Sequence, residues 1–194
     1  MNKDDGRIPM PIGSTPTLVL ALANTGKRYR PSRQAVATSS DPFTDLQATQ
    51  DLLRSWEISG EVRETDLQQL QEMRKALQSF IRGCERQDHQ QSSLALEILN
   101  QFSAGCHWVH QLSETGTLIE KLSGPLAARV AARCATELSK VDLTRLKTCC
   151  WPPCELVFYD TTRNRSAKWH AENPCGWRAR AARNRSNERD EVTE

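Results

Sequence analysis

The feature that most constrains this 194-residue chain lies near its end, where Cys149, Cys154, His170 and Cys175 stand as two close pairs in a segment with little else to fold around. From residue 149 onward the large apolar side chains are Trp151, Leu156, Val157, Phe158, Tyr159, Trp169, Trp177 and Val192. Their burial does not offset the entropy of ordering about forty residues, at about 1–2 kcal/mol of backbone entropy apiece. Three thiols and an imidazole are the donor set of a closed tetrahedral Zn2+ site. Four residues separate the members of each pair and fifteen separate the pairs, which lets the chain fold back on its first knuckle. A structural Zn2+ contributes about 10 kcal/mol or more of binding free energy that becomes folding free energy. One structural Zn2+ on Cys149, Cys154, His170 and Cys175 is therefore expected, with Cys150 competing to be the first ligand.

Spacing also sets the local architecture expected around that ion. Cys149 and Cys154 form a knuckle, Leu156 to Asp160 reads as a strand, Thr161 to Arg165 as a turn, and Ala167 to Trp169 as the return toward the metal. Cys175-Gly176 opens a helix through about Asn187, giving a treble-clef-like finger. The segment is basic: between Arg145 and Arg189 ten Lys/Arg face four acids, a local +6 inside a chain whose net charge is +2. The remainder is correspondingly acidic. Candidate nucleic-acid contacts are Arg163, Arg165 and Lys168 in the hairpin and Arg178, Arg180, Arg183 and Arg185 on the helix, with Asn164, Ser166, Asn184 and Ser186 as further phosphate donors. Clustered guanidinium groups that neutralise phosphates give salt-dependent affinity. On the helix, Arg178 and Arg185 share one side and Arg180 and Arg183 the other, so no single stripe forms, and a merely solvated charge run is the alternative.

Upstream the pattern is helical. Residues 1–16 read as a flexible arm, Thr17 to Ala23 as an apolar run too short to assign by period, and 27–40 as a loop. The run ends in Ala-Leu-Ala, like a signal-peptidase site, but Asp4 and Asp5 cancel Lys3 and Arg7, and Pro9, Pro11 and Pro16 break the apolar core such a signal needs, so no cleavage is expected. Asp41-Pro42 signals a helix start, with Phe43, Leu46, Leu52, Leu53 and Trp56 at helical spacing and Ser59-Gly60 as the stop. A second helix begins at Thr65, its apolar face made by Leu67, Leu70, Met73, Leu77, Phe80 and Ile81, with Gln68, Gln69, Glu72, Arg74 and Lys75 toward water. A third runs from about Ser93 to Phe102, and a fourth, Ala-rich, from Pro125 to Leu138. Between them Trp108 to Leu112 and Thr117 to Leu122 form a hairpin around Ser113–Gly116. Cys106, His107 and His110 are a second, weaker group of metal donors. The other cysteines among the seven, Cys84, Cys134 and Cys150, are dispersed, which suits a reducing, cytoplasmic compartment rather than a disulfide framework. No run reaches the roughly twenty apolar residues of a membrane span.

The segment Asp160-Thr-Thr-Arg-Asn-Arg-Ser-Ala-Lys-Trp-His170, followed by Cys175-Gly-Trp-Arg178, resembles the CGNR zinc-finger family. Leu18 to Thr25 resembles the opening "LALDFANT" segment of the ABATE-type domain that accompanies this finger. Leu52 to Glu61 resembles its first helix and glycine, and Leu126 to Cys149 its approach to the finger. His170 stands where that family has cysteine, which keeps a ligand and changes the site charge by one unit. Trp177 stands where it has asparagine. The resemblance implies a bacterial, stress-linked transcription regulator.

The expected fold is mainly α: a helical domain over 17–145 with a small β-hairpin, then a finger over 146–188 and a tail over 189–194. The expected function is DNA binding by the finger, with a protein partner or small-molecule effector acting through the helical domain. The alternative is a zinc-ordered protein-interaction module whose arginines meet an acidic partner. An enzyme is not expected, because four protein ligands close the zinc and no nucleophile–base pair or phosphate-cradling glycine loop is present.

Overall fold

A computed structural model describes residues 15–26, 41–152 and 154–191. Most of the arm, the 27–40 loop and the last three residues of the tail lie outside that set. Among the described residues no helix is long and apolar enough to cross a membrane.

The Thr17–Asn24 run is a helix, α1. Eight residues do not hold a helix by themselves. This one forms because Leu18, Val19, Leu22 and Ala23 are buried and because its N-terminus is capped from far along the chain. Leu18 N and Val19 N donate to the two carboxylate oxygens of Glu137 at 3.0 and 2.9 Å, and the Thr17 hydroxyl donates at 3.4 Å. Pro16 offers no capping side chain, so a buried carboxylate at the positive end of the helix takes that role. The Ala-Leu-Ala sequence thus belongs to a core helix.

Asp41-Pro42 opens only a single 3-10 turn, Pro42–Thr44, with Asp41 accepting from Phe43 N at 3.1 Å. Asp45 is extended and caps a separate helix, α2 (Leu46–Ser55), by accepting from Ala48 N at 2.7 Å. Two capping carboxylates so close together divide what the periodicity presents as one helix, and the break lets Phe43 drop fully into the core. Glu57 at φ 58° ends the element before Ser59-Gly60.

Helix α3 (Glu64–Arg86) is the central strut; of its expected face Leu70, Met73, Leu77, Phe80 and Ile81 are buried and Leu67 partly so, and Asp66, Ala76 and Gly83 are buried with them. Arg74 departs from expectation: it does not face water but bonds Asp41 at 2.6 Å and Thr25 O at 2.8 Å, with its guanidinium over the Phe43 ring. A left-handed Gln87 turns the chain into α4 (His89–Ser103), capped by Asp88, which accepts from Gln91 N at 2.9 Å. The polar stretch 87–93 is therefore the α3–α4 turn and the first residues of α4. At Gly83 a Cβ would sit 2.8 Å from Ser92 N, so glycine sets how closely the two helices approach. Beside that contact an open groove of about 660 Å3 is lined by Ala76, Leu94, Ala95, Ile98 and Phe102.

Strands β1 (His107–Leu112) and β2 (Leu118–Ser123) form an antiparallel hairpin; β1 starts one residue earlier than expected, and β2 is shifted by one residue at both ends. Helix α5 (Leu126–Leu138) completes the body against α1, α3 and α4. A second hairpin follows: β3 (Leu146–Thr148) pairs antiparallel with β4 (Val157–Tyr159). Leu146 and Val157 join the main core. Asn24, at the end of α1, brackets β4 through both backbone groups of Val157, donating to its carbonyl and accepting from its N–H, each at 2.8 Å. Glu85 on α3 accepts from Thr148 N at 3.2 Å. Helix α6 (Trp177–Glu191) is the last described element; it begins just after the expected Cys175-Gly176 start and runs four residues beyond the expected end.

Replacing Glu137 by Ala removes the acceptor of two buried N–H groups, at about 1–3 kcal/mol for each group left unsatisfied. Denaturant unfolding of Glu137→Ala should show a loss of about 3 kcal/mol, with Glu137→Gln losing less because one acceptor oxygen survives.

Candidate metal centre

The finger is built on its knuckle. Cys149 N donates to Leu156 O at 2.8 Å, extending the β3–β4 pairing by one rung, and Cys154 N donates to Trp151 O at 2.8 Å, closing the turn that lifts both thiols to one side. Glu155 adopts φ 50° where the chain leaves the knuckle for β4. The strand partner of Leu156–Asp160 is therefore the stretch before the first cysteine. It is not Ala167–Trp169, as the spacing suggests, and residues 161–170 form no strand. The reason is that β3 is already pinned to α3 and can offer a complete edge, whereas 161–169 is organised by a side chain.

That side chain is Asp160, 1% exposed. One oxygen accepts from Thr162 N at 2.9 Å and the Thr162 hydroxyl at 2.6 Å. The other accepts from Lys147 Nζ at 2.7 Å and Ala167 N at 3.0 Å. Lys147 also donates to the carbonyls of Arg165 and Ala167, and Arg145 donates to Asp160 O and Thr162 O, each at 2.8 Å. Burial pushes the Asp160 carboxyl up, but Lys147 and the three Thr162 and Ala167 donors outweigh it and hold the group far below the usual carboxylate range. Sequence reasoning did not single out Asp160 or Lys147. The available signal was Asp-Thr-Thr at the end of an apolar strand, the pattern of an Asx-type turn.

With the loop so held, Cys150 N donates to Lys168 O at 2.8 Å and the chain delivers His170 to the knuckle. A wide π-type turn, Glu172–Gly176, then brings in Cys175, buried, just before α6. A Cβ at Gly176 would lie 3.0 Å from the Trp169 ring and closer still to the Glu172 carboxylate, so a side chain there would push the last ligand away.

The donor atoms of Cys149, Cys154, His170 and Cys175 all lie within 4.8 Å of one another, and Cys154 Sγ is 3.3 Å from His170 Nδ1. Tetrahedral Zn2+ with Zn–S of about 2.3 Å and Zn–N of about 2.0–2.1 Å has ligand-to-ligand edges of about 3.5–3.8 Å. The four residues thus fit one structural zinc ion with small side-chain movements. Cys149 is the ligand of the adjacent pair, being buried in the cluster, while Cys150 is exposed. Burial, reinforced by the neighbouring thiols, pushes Cys175 up to about 12, and burial also raises Cys154. Burial lowers His170, favouring the neutral imidazole that ligates metal. Thiols crowded in this way ionise together only with a cation among them, and a divalent ion supplies that charge. Among the described residues this is the only such convergence of metal donors. In the weaker group, Cys106 Sγ instead donates to Ser123 O at 3.2 Å and His110 lies 3.7 Å from Glu120.

The seven basic residues do not form one set. Arg165 is tied to Asp142 at 2.9 Å and to the Thr144 hydroxyl at 3.0 Å. Arg180 pairs with Glu172 and stacks over Trp169, 5.5 Å from the ring centre. Arg178 is half-buried, on the same side of α6 as Ala179, Ala181 and Ala182. Arg163, Lys168, Arg183 and Arg185 are exposed.

Purified protein should hold about one zinc per chain by elemental analysis, Cys154→Ser none, and Cys150→Ser the parental amount. Asp160 contributes stability that is present above its unfolded value, about 3.9, and declines as pH falls toward its folded value. Asp160→Asn, which leaves Lys147 facing an amide, should cost about 3 kcal/mol at pH 7. Relative to the parent it should narrow the stability gap on acidification below about pH 4, as followed by denaturant titration across pH.

Residues 145–188 match the family of the CGNR zinc finger. Residues 17–140 match the ABATE family, described as "Putative stress-induced transcription regulator". No curated protein matches the chain. The helical body that carries Asn24 and Glu137 and the finger built around Cys149, Cys154, His170 and Cys175 thus correspond to two families in tandem, and the chain belongs to the ABATE family, with a C-terminal CGNR zinc finger.

Proposed function

We propose that the finger binds double-stranded DNA and that the protein is a DNA-binding transcription regulator. The observation that carries this reading is a set of exposed cations on the metal-held finger, Arg163 and Lys168 in its loop and Arg183 and Arg185 on its helix, which make no ion pair among the described residues. Arg165 and Arg180 serve a different purpose. Each is neutralised by a neighbouring carboxylate and holds the loop or the π-type turn in place, so both act as positioning residues for the exposed four. The zinc is structural in this scheme, since four protein ligands leave it no open position. A reading in which the arginines meet only acidic protein surfaces has one observation in its favour, the Arg165–Asp142 pair. That pair accounts for one cation and leaves the exposed four unanswered.

Four phosphate contacts give a salt slope of about −3.6, so affinity for a labelled duplex should fall on the order of 10²-fold between about 50 and 200 mM salt. Fluorescence anisotropy should show each Ala substitution at Arg163, Lys168, Arg183 or Arg185 lowering that slope by about 1. Arg165→Ala and Arg180→Ala should chiefly lower thermal stability. Absence of duplex binding at any salt concentration would overturn the proposal in favour of the protein-interaction reading.

A further inference from the structure

The β1–β2 hairpin presents six side chains on one face: Trp108, His110 and Leu112, directly opposite Leu122, Glu120 and Leu118. Trp108 is 52% exposed, Leu112 73% and Leu118 48%. A two-stranded hairpin is marginally stable alone in water, and large apolar side chains gathered on one face, with polar groups among them, mark an interaction surface. The middle rung is polar, with His110 Nδ1 3.7 Å from Glu120 Oε1 and both side chains still partly open to solvent. The face is thus apolar at its base, donor-and-acceptor in the middle and apolar at its tip.

We infer that this face docks against the same face of a second copy of the chain. Each rung is its own complement under a two-fold axis running along the strands, which lays β1 of one protomer over β2 of the other. Trp108 of each then lies over Leu122 of the other, Leu112 over Leu118, and the His110 imidazole over the Glu120 carboxylate, so both polar groups are satisfied twice across the interface. A two-fold axis across the strands would set imidazole on imidazole and carboxylate on carboxylate, so the strand-parallel axis is the one that the side chains select. An interface that uses one patch twice is the usual form of a dimer. Six side chains a side cover less than the roughly 800 Å2 per partner of a standard interface, so the dimer is weak and concentration-dependent. It forms without nucleic acid, and its failure would leave DNA binding by the finger untouched.

Sedimentation velocity of the full zinc-loaded chain over a concentration series should show the mass rising from monomer toward dimer, and Leu112→Glu with Leu118→Glu should abolish the rise. A charge-paired test covers the possibility that those variants merely loosen the hairpin. His110→Glu makes the rung wholly acidic, and His110→Lys with Glu120→Lys makes it wholly basic. Each protein alone should remain monomeric, and an equimolar mixture should recover the dimer, which a loosened hairpin would not do. A parent that stays monomeric at every concentration overturns the inference and assigns the face to a different partner. A dimer indifferent to the Leu112 and Leu118 changes, or a charge-paired mixture that stays monomeric, overturns it as well.

Discussion

A segment with as little apolar mass as the one beyond residue 149 stays folded only through polar centres, and the loop that follows β4 is organised on the buried carboxylate of Asp160. Zinc ties four side chains at one end of the segment. Asp160 decides whether those side chains arrive there at all. Its two oxygens fix the start of the loop through Thr162 and its return through Ala167, and between them the chain reverses with no strand to guide it. Lys147 supplies the compensating charge and spends its remaining hydrogens on two loop carbonyls. A buried pair of this kind is valuable less for its net energy than for the cost of any arrangement that leaves one partner alone.

The finger is also not an appendage. Leu146 and Val157 sit in the same core as α1, α3 and α5, and Asn24 engages Val157 as a neighbouring strand would. Thr148 is held from α3 by Glu85. Helix α1 is thereby gripped at both ends, by Glu137 at its start and by β4 at its finish. The body around α1 is thus tied by hydrogen bonds to β4, whose last residue directly precedes Asp160.

Much of this was legible in the chain. The four metal donors announced themselves by chemistry and spacing, and the long amphipathic face of α3 by its period. What the sequence obscured is of one kind: long-range polar contacts with no local trace. Glu137 reads as a solvent-facing acid at the end of an Ala-rich helix, and only the fold brings it to the start of α1. Arg74 reads as surface, yet Asp41, Thr25 and Phe43 enclose it. The strand pairing of the finger was misread because spacing favours the nearest return, while tertiary anchoring of β3 by α3 decided the real partner. All seven basic residues of the finger read as candidate phosphate contacts, and local carboxylates engage two of them, Arg165 and Arg180.

The placement of α1 has a consequence for how the chain acquires its structure. Its capping carboxylate lies about 119 residues downstream, and the strand that Asn24 brackets about 133 residues downstream. Contacts so distant in sequence carry a large loop-closure entropy and form late. During synthesis α1 emerges before α5 and the finger, so Leu18, Val19 and Leu22 find their seat only once those later segments have left the ribosome. Completion of the helical body thus depends on the finger's own strand, and without β4 the end of the first helix lacks its partner.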